Sequence, residues 1–132
     1  MTNQVKQLQV AVSGYDAVAY FDGRAIVGDP AFSSGHTDSL YLFSSKTNKQ
    51  KFDADPQHYI PLYGGYCATA ASEGKLFGVD PTNFKITDDN RLALFYRGVG
   101  GDTLPQWNEN EPERRAAADK HWREGSFAAL TQ

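Results

Sequence analysis

Apolar and aromatic residues occur in short runs that alternate with polar, turn-forming stretches. Residues 17–21 and 40–43 combine aromatic with aliphatic side chains, a composition typical of β-strands. The dipeptide Asp22-Gly23 favours a hairpin turn, so the first run is expected to return as a second strand over residues 24–28.

A second hairpin is predicted further along the chain. Residues 84–87 and 92–96 are apolar runs that flank a polar turn at residues 88–90. The stretches 30–38 and 98–108 are rich in glycine, serine and other polar residues and are expected to be loops. No internal repeat, linker or low-complexity tract is apparent.

Four helical segments are predicted from their start and stop signals. They run from a cap at Ser44 or Ser45 towards Phe52, from Pro56 to Tyr59, over residues 66–73 up to Gly74, and from Asn110 through Trp122 to Phe127. Together with the strands they predict an α+β fold in one domain spanning residues 1–132. We expect a small, mainly antiparallel sheet with short helices packed on it and a C-terminal helix.

Composition supports a folded domain and excludes some partners. Of the 132 residues, 40% are hydrophobic and 13% aromatic, which is enough apolar area for a core without disulfides. The 13 basic and 16 acidic residues are spread along the chain and give a net charge of -3, so neither nucleic acid nor a membrane is a predicted partner. No apolar run resembles an export signal, so the expected location is cytoplasmic, with a removed signal as the alternative.

Aromatic residues are expected to fill the core. The predicted core members are Phe43, Phe52, Tyr59, Tyr63 and Trp122. Trp107 lies in an acidic, loop-like stretch and is a candidate for an exposed binding surface.

The single cysteine, Cys67, carries the most informative chemistry. It follows Tyr63-Gly64-Gly65-Tyr66 and is expected in the first turn of a helix, where the helix N-terminus favours a thiolate. Burial favours a neutral thiol instead, and we expect burial to prevail and the thiol to react slowly. One cysteine also restricts any metal site to mixed ligands.

Several separated segments resemble the YHS-domain family. They are residues 14–21, residues 43–59 with Phe52 and Asp55-Pro56, residues 63–68 with the Gly-Gly-Tyr-Cys motif, and Asp80-Pro81 with the following hairpin and Trp122. The resemblance covers about residues 13–123. It implies distant similarity to metal-sensing domains of the TRASH type, and a small binding protein whose reaction is unknown.

The chain departs from the metal-binding relatives at two positions. Where those relatives have a cysteine after the aromatic strand and another four positions later, this chain has Ser44 and Asn48. A hydroxyl and a carboxamide are poor ligands for the metals that thiolates bind, so no metal is predicted at this pair. One serine, Ser44 or Ser45, is expected to cap the helix instead.

Two further site hypotheses remain. A metal site would combine Cys67 with His58 or His121, with copper or zinc as the candidate metals, whereas His36 lies in a polar stretch. A small-ligand pocket would be lined by the residues that the resemblance highlights: Tyr15, Asp16, Tyr63, Tyr66, Cys67, Gly64 and Gly65. In the alternative interpretation Asp16 caps backbone amides, the tyrosines fill the core and the glycines supply backbone angles.

Three classes of function follow from these hypotheses. The first is a module that binds a metal ion or small ligand near Cys67, the second a structural or protein-interaction domain without a site, and the third a minor enzyme that uses the Cys67 thiol or the Asp16 carboxylate. No catalytic residue is assigned. A metal bound to Cys67 would favour the first class, a sealed Cys67 the second, and an open Cys67 beside a base the third.

Overall fold

A computed structural model describes residues 8–125 and residue 127. Contacts divide the chain into two compact units, Met1–Tyr59 (unit 1) and Ile60–Gln132 (unit 2), each of which is described by itself. Helices and short strands are mixed throughout the described residues, and the last described element is a helix, so the predicted α+β class is confirmed. Among the described residues, no helix combines the length and apolar character needed to cross a membrane.

Unit 1 contains a three-stranded sheet. Its strands are β1 (Gln9–Val10), β2 (Asp29–His36) and β3 (Ser39–Phe43). The central strand β3 pairs in parallel with β1 and in antiparallel fashion with β2. The predicted strand over residues 40–43 is confirmed, but the predicted loop over residues 30–38 is wrong. The polar residues of this stretch pair with β3 through their backbones. Pro30 is tolerated in β2 because β2 is the last strand in the sheet order.

The predicted hairpin around Asp22-Gly23 is also wrong. Ala19–Asp22 forms a 3₁₀ helix that ends at Gly23, whose φ of 81° is left-handed. The carboxylate of Asp16 accepts hydrogen bonds from the amides of Val18 and Ala19, which turns the chain into a helical conformation despite its strand-like composition.

The helices of unit 1 follow the prediction. Helix α1 (Lys46–Ala54) begins after Ser45, whose hydroxyl accepts a hydrogen bond from the Asn48 amide, and α2 (Pro56–Tyr59) is a single turn. Phe52, on α1, packs its ring against those of Tyr41 and Phe43, with centroids 4.8 and 5.0 Å apart. The predicted core positions Phe43 and Phe52 are therefore confirmed, whereas Tyr59 is only half-buried.

The described part of unit 2 contains two hairpins and three α-helices. Its elements are α3 (Ala68–Ser72), β4 (Asp80–Ile86), β5 (Leu92–Phe95), β6 (Arg97–Gly98), β7 (Gly101–Asp102), α4 (Leu104–Glu109) and α5 (Glu111–Glu124). β4 and β5 pair antiparallel, which confirms the second predicted hairpin. The segment 98–108 was expected to be a loop, but it contains part of the small hairpin β6–β7 and most of α4.

Helix α5 begins after Asn110, as predicted, but ends earlier than predicted. The side chain of Asn110 makes no capping hydrogen bond among the described residues. Instead, Glu111 accepts hydrogen bonds from Lys85 Nζ and from the indole of Trp107, which ties the first turn to its surroundings. The helix ends before Gly125 (φ 65°), so Phe127 lies beyond it.

The core of unit 2 reverses the expected roles of the two tryptophans. Trp107 is fully buried in a cluster with Leu62, Tyr63 and Phe95, so it is not the exposed binding residue that was predicted. Trp122, predicted to be buried, is 44% exposed. The prediction for Trp107 failed because it was based on the acidic sequence around this residue. Helix α4 turns the Trp107 side chain inward, whereas its polar neighbours face solvent.

Candidate functional site

The Tyr63-Gly64-Gly65 segment is a tight left-handed turn. The φ angles of these three residues are 56°, 62° and 86°. Tyr66 follows in an extended conformation and its amide donates to the Tyr63 carbonyl at 3.0 Å. Tyr63 adopts this conformation without being glycine, at an energetic cost that its buried side chain offsets.

Gly64 is needed for close contact with Trp122. A Cβ atom at position 64 would lie 2.9 Å from Cη2 of the Trp122 indole, closer than real Cβ atoms approach other heavy atoms. The sequence left open whether the glycine pair serves backbone angles or the approach of a ligand. In the structure Gly64 has a left-handed angle, and the group that approaches it is a side chain of the same unit.

Cys67 is the cap of α3 and is completely enclosed. Its exposed fraction is 0%, and its sulfur accepts the amide hydrogen bond of Ala70 at 3.5 Å. Its own amide donates to the Phe77 carbonyl at 2.9 Å. The expected burial is confirmed, and the residue lies at the cap position, just before the first turn in which it was placed.

The thiol proton of Cys67 has a defined partner. Sγ lies 3.3 Å from Oγ1 of Thr103, and that hydroxyl donates its proton to the Tyr96 carbonyl at 3.0 Å. Because a hydroxyl has one proton, the Cys67 thiol is the donor in the first of these two bonds. A buried thiol paired with a hydroxyl and a backbone amide differs from the accessible, base-paired arrangement that activates a nucleophile.

Asp16 is a second enclosed polar centre, located in unit 1. Its carboxylate is fully buried, and besides the amides of Val18 and Ala19 it accepts three hydrogen bonds at Oδ2. These come from the amide and hydroxyl of Ser44, both at 2.7 Å, and from Nδ2 of Asn48 at 2.9 Å. Both carboxylate oxygens of Asp16 therefore accept hydrogen bonds from groups of the same unit. Neither oxygen is left free to bind a substrate or to act as a base.

Ser44 and Asn48 thus have a positive role that the sequence did not predict. Their side chains and one backbone amide converge on a single carboxylate oxygen. The prediction that one of the two serines caps the helix is confirmed for Ser45.

The three histidines lie in separate environments. His36 contacts Gln57 through Nε2 at 3.4 Å, and the His58 ring packs between Phe21 and Tyr59. The His121 ring lies 6.1 Å from that of Phe127. Within residues 8–125 and 127, no group of three or more His, Cys, Asp or Glu side chains could hold a metal ion. The copper or zinc site at Cys67 with His58 or His121 therefore gains no support.

The residues of the predicted small-ligand pocket fall into the two units. Tyr15 and Asp16 belong to unit 1, where Tyr15 pairs through its backbone with Val27. Tyr66 in unit 2 is 37% exposed, next to the buried Cys67. The alternative interpretation of Asp16, as a cap for backbone amides, is confirmed by its bonds to Val18 and Ala19.

A hydrogen-bonded network that runs from the buried Tyr63 to the surface was missed by the sequence analysis. Tyr63 donates to Asp119, which also pairs with Arg115, and Arg115 makes a two-pronged pair with Asp89 at 2.9 and 2.8 Å. Burial, and then the hydrogen bond to Asp119, raise the pKa of Tyr63. The hydrogen bonds from Arg115 lower the pKa of Asp89. The four-residue spacing of Arg115 and Asp119 on a helix was the one available signal.

Comparison of the chain with models of protein families, with curated proteins and with solved structures found no match. The resemblance to the YHS-domain family therefore stays a prediction.

Proposed function

We propose that this protein is a structural or protein-interaction domain, and that its Gly-Gly-Tyr-Cys motif stabilises the fold and does not form a reactive site. The observation that supports the proposal is the complete enclosure of Cys67, with its thiol donating to Thr103. A site for a metal, a substrate or a covalent intermediate needs an accessible sulfur and a neighbouring base or ligand. The Cys67 sulfur is not accessible to solvent, and its thiol is already hydrogen-bonded to Thr103.

A domain of this kind acts through its surface. Unit 2 exposes the apolar side chains of Tyr66, Phe77 and Val99, and the rings of Phe77 and Tyr96 are 6.5 Å apart. Exposed aromatic side chains such as Tyr66 and Phe77 are of the type that is enriched where proteins contact one another. The alternative, a module that binds a metal or small ligand near Cys67, rests on the family resemblance and on the chemistry of cysteine and histidine as ligands.

Metal titration of untagged protein separates these functions. Cu(I) and Zn(II) are added to the parent and to Cys67→Ser, and binding is followed by calorimetry and by thermal unfolding. We expect no saturable binding that differs between the two proteins, and a lower unfolding temperature for Cys67→Ser. Stoichiometric binding to the parent that disappears in Cys67→Ser would replace the present proposal with the binding module.

The enzymatic alternative has its own test. Iodoacetamide labelling of the native parent is measured from pH 6 to pH 9 against a free thiol. We expect labelling far slower than that of the free thiol across this range, because the reagent cannot reach the sulfur. Rapid labelling near pH 6 would indicate an activated thiolate and favour the enzyme.

A further inference from the structure

Both units contain the same left-handed turn. Val12, Ser13 and Gly14 have φ angles of 54°, 53° and 83°, close to those of Tyr63, Gly64 and Gly65. Each turn is followed by an extended tyrosine, Tyr15 or Tyr66, whose amide donates to the first residue of the turn at 2.9 or 3.0 Å. The two turns are 51 positions apart, the difference between residues 63 and 12.

Backbone hydrogen bonds that follow the turn also occur in equivalent pairs, at positions that differ by 51 between the two units. The amide of Asp16 donates to Ile26, and that of Cys67 donates to Phe77. The next pairs are Arg24 to Ala19 and Lys75 to Ala70. The helical segment ends in each unit at a left-handed glycine, Gly23 with φ 81° and Gly74 with φ 75°.

The hairpins of the two units match as well. Asp29 pairs with Phe43 and Ser33 with Leu42, and the register shifts between these pairs. Asp80 pairs with Phe95 and Phe84 with Leu94, with a shift at the corresponding place. The offset is again 51 on the first strand, and it becomes 52 on the second strand, the difference between residues 95 and 43. In both units the aspartate that opens the first strand accepts the amide two residues later, at 2.9 Å.

Aligned in this way, the two segments share scattered identities. They are Gly14 with Gly65, Tyr15 with Tyr66, Ala17 with Ala68, Ala19 with Ala70, Gly23 with Gly74, Asp29-Pro30 with Asp80-Pro81, and Leu42-Phe43 with Leu94-Phe95. The sequence alone did not reveal this correspondence because the identities are spread out and the offset changes by one residue within the hairpins.

We propose that residues 12–43 and 63–95 are two copies of one motif, and that each copy is closed by an equivalent latch. The latch joins the second residue after the turn, which follows the tyrosine, to a hydroxyl residue that precedes a helix. In unit 1 it is Asp16 with Ser44, at 2.7 Å, directly after β3 and before α1. In unit 2 it is Cys67 with Thr103, at 3.3 Å, and the hairpin β6–β7 is inserted between β5 and the latch residue that precedes α4.

The two latches differ in strength. Asp16 is a carboxylate with five donors, and hydrogen bonds to charged groups are the stronger kind. Among the described residues the Cys67 sulfur is bonded to one hydroxyl and one amide, so the latch of unit 2 opens more readily and exposes the sulfur when it does. The assignment of Cys67 as a latch rests on the proposed structural role of this residue.

The rate at which a disulfide reagent labels native Cys67 measures the opening of this latch, since the chain has one cysteine. Thr103→Val removes the hydroxyl and keeps the shape, and we expect labelling about two- to tenfold faster than in the parent. Thr103→Ser restores the hydroxyl and is expected to label within about twofold of the parent rate. If Thr103→Val is labelled at the parental rate, or if the valine and serine variants are labelled at equal rates, the Thr103 hydroxyl does not restrain the opening of unit 2 around Cys67.

Double-mutant cycles in urea unfolding test whether the two latches are equivalent. One cycle combines Cys67→Ala with Thr103→Val, and the other combines Asp16→Asn with Ser44→Ala. We expect non-additive losses of stability in both cycles. Additive losses in either would overturn the proposal that the copies are closed alike. The proposed structural role fails separately, if the parent protein itself labels as fast as a free thiol or binds metal through Cys67.

Discussion

Tyr63 donates its hydroxyl proton to Oδ1 of Asp119 across 2.8 Å, and this bond joins the left-handed turn to helix α5. The ring is buried and the backbone of Tyr63 is held at a positive φ. A strained turn residue is thus fixed from the far end of its side chain. The carboxylate partner is fixed in turn by Arg115.

Replacing Tyr63 by Phe should therefore cost more than one neutral hydrogen bond. We expect a loss of about 1.5–3 kcal/mol in the free energy of unfolding, since the acceptor is charged. Tyr66→Phe, at a neighbouring and more exposed ring, should change it by less than about 0.5 kcal/mol. Urea unfolding at pH 7 measures both, and equal effects would show that the bond to Asp119 contributes nothing.

The same residue predicts a loss of stability in alkali. The pKa of Tyr63 is raised above its unfolded value of about 10 by burial and by the bond to Asp119. A raised pKa means that the contribution is complete below about pH 10 and decreases as the pH rises further, because the unfolded chain ionises first. Burial also raises the pKa of Tyr41, so the dependence should become shallower in Tyr63→Phe without disappearing. An unchanged slope would contradict the assignment.

Asp89 and Arg115 predict a small acid-dependent term. Hydrogen bonds from Arg115, and then from Thr87, lower the pKa of Asp89, so its contribution is present above about pH 4 and lost as the pH falls below that value. The carboxylate is largely exposed, which makes the effect modest and sensitive to salt. In Asp89→Asn the stability curve below pH 4, measured by urea unfolding, should be flatter than in the parent, and curves of equal slope would contradict the pairing with Arg115.

Substitution of Gly64 by Ala tests the contact with Trp122, and substitution of Gly78 by Ala is its control. Gly64→Ala places a methyl group 2.9 Å from the indole at a φ of +62°, and we expect a loss of about 1–3 kcal/mol with a change in tryptophan fluorescence. At Gly78 an added Cβ meets no atom within 4 Å, so Gly78→Ala should be neutral or slightly stabilising. Equal stability of the two variants would show that Trp122 does not occupy this position.

Phe52 and Phe77 test the distinction between core and surface. Phe52 is 1% exposed, and Phe52→Ala should cost about 3–5 kcal/mol as large core deletions do. Phe77 is 47% exposed, so Phe77→Ala should cost less than about 1 kcal/mol. Chemical denaturation compares them, and a small loss at Phe52 would require a different core for unit 1.

The local sequence determined the elements whose signals come from neighbouring residues. Ser45 predicts the start of α1, Asp55-Pro56 predicts the single turn that follows it, and the apolar runs around residues 88–90 predict the hairpin β4–β5. Apolar character also placed Phe43, Phe52 and Cys67 in the interior. These features depend on caps, turns and hydrophobicity, which act within a few residues.

Tertiary structure decided the features that depend on distant partners. Residues 17–21 look like a strand, but Asp16 caps the amides that follow it while being held by Ser44 and Asn48 more than 25 positions away. The stretch 30–38 looks like a loop, but its backbone completes a sheet with β3. The partner of the Cys67 thiol is Thr103, on the far side of two hairpins. Pairing, burial and hydrogen bonding between distant residues release more free energy than local preferences cost, and a single sequence does not reveal which distant residues will meet.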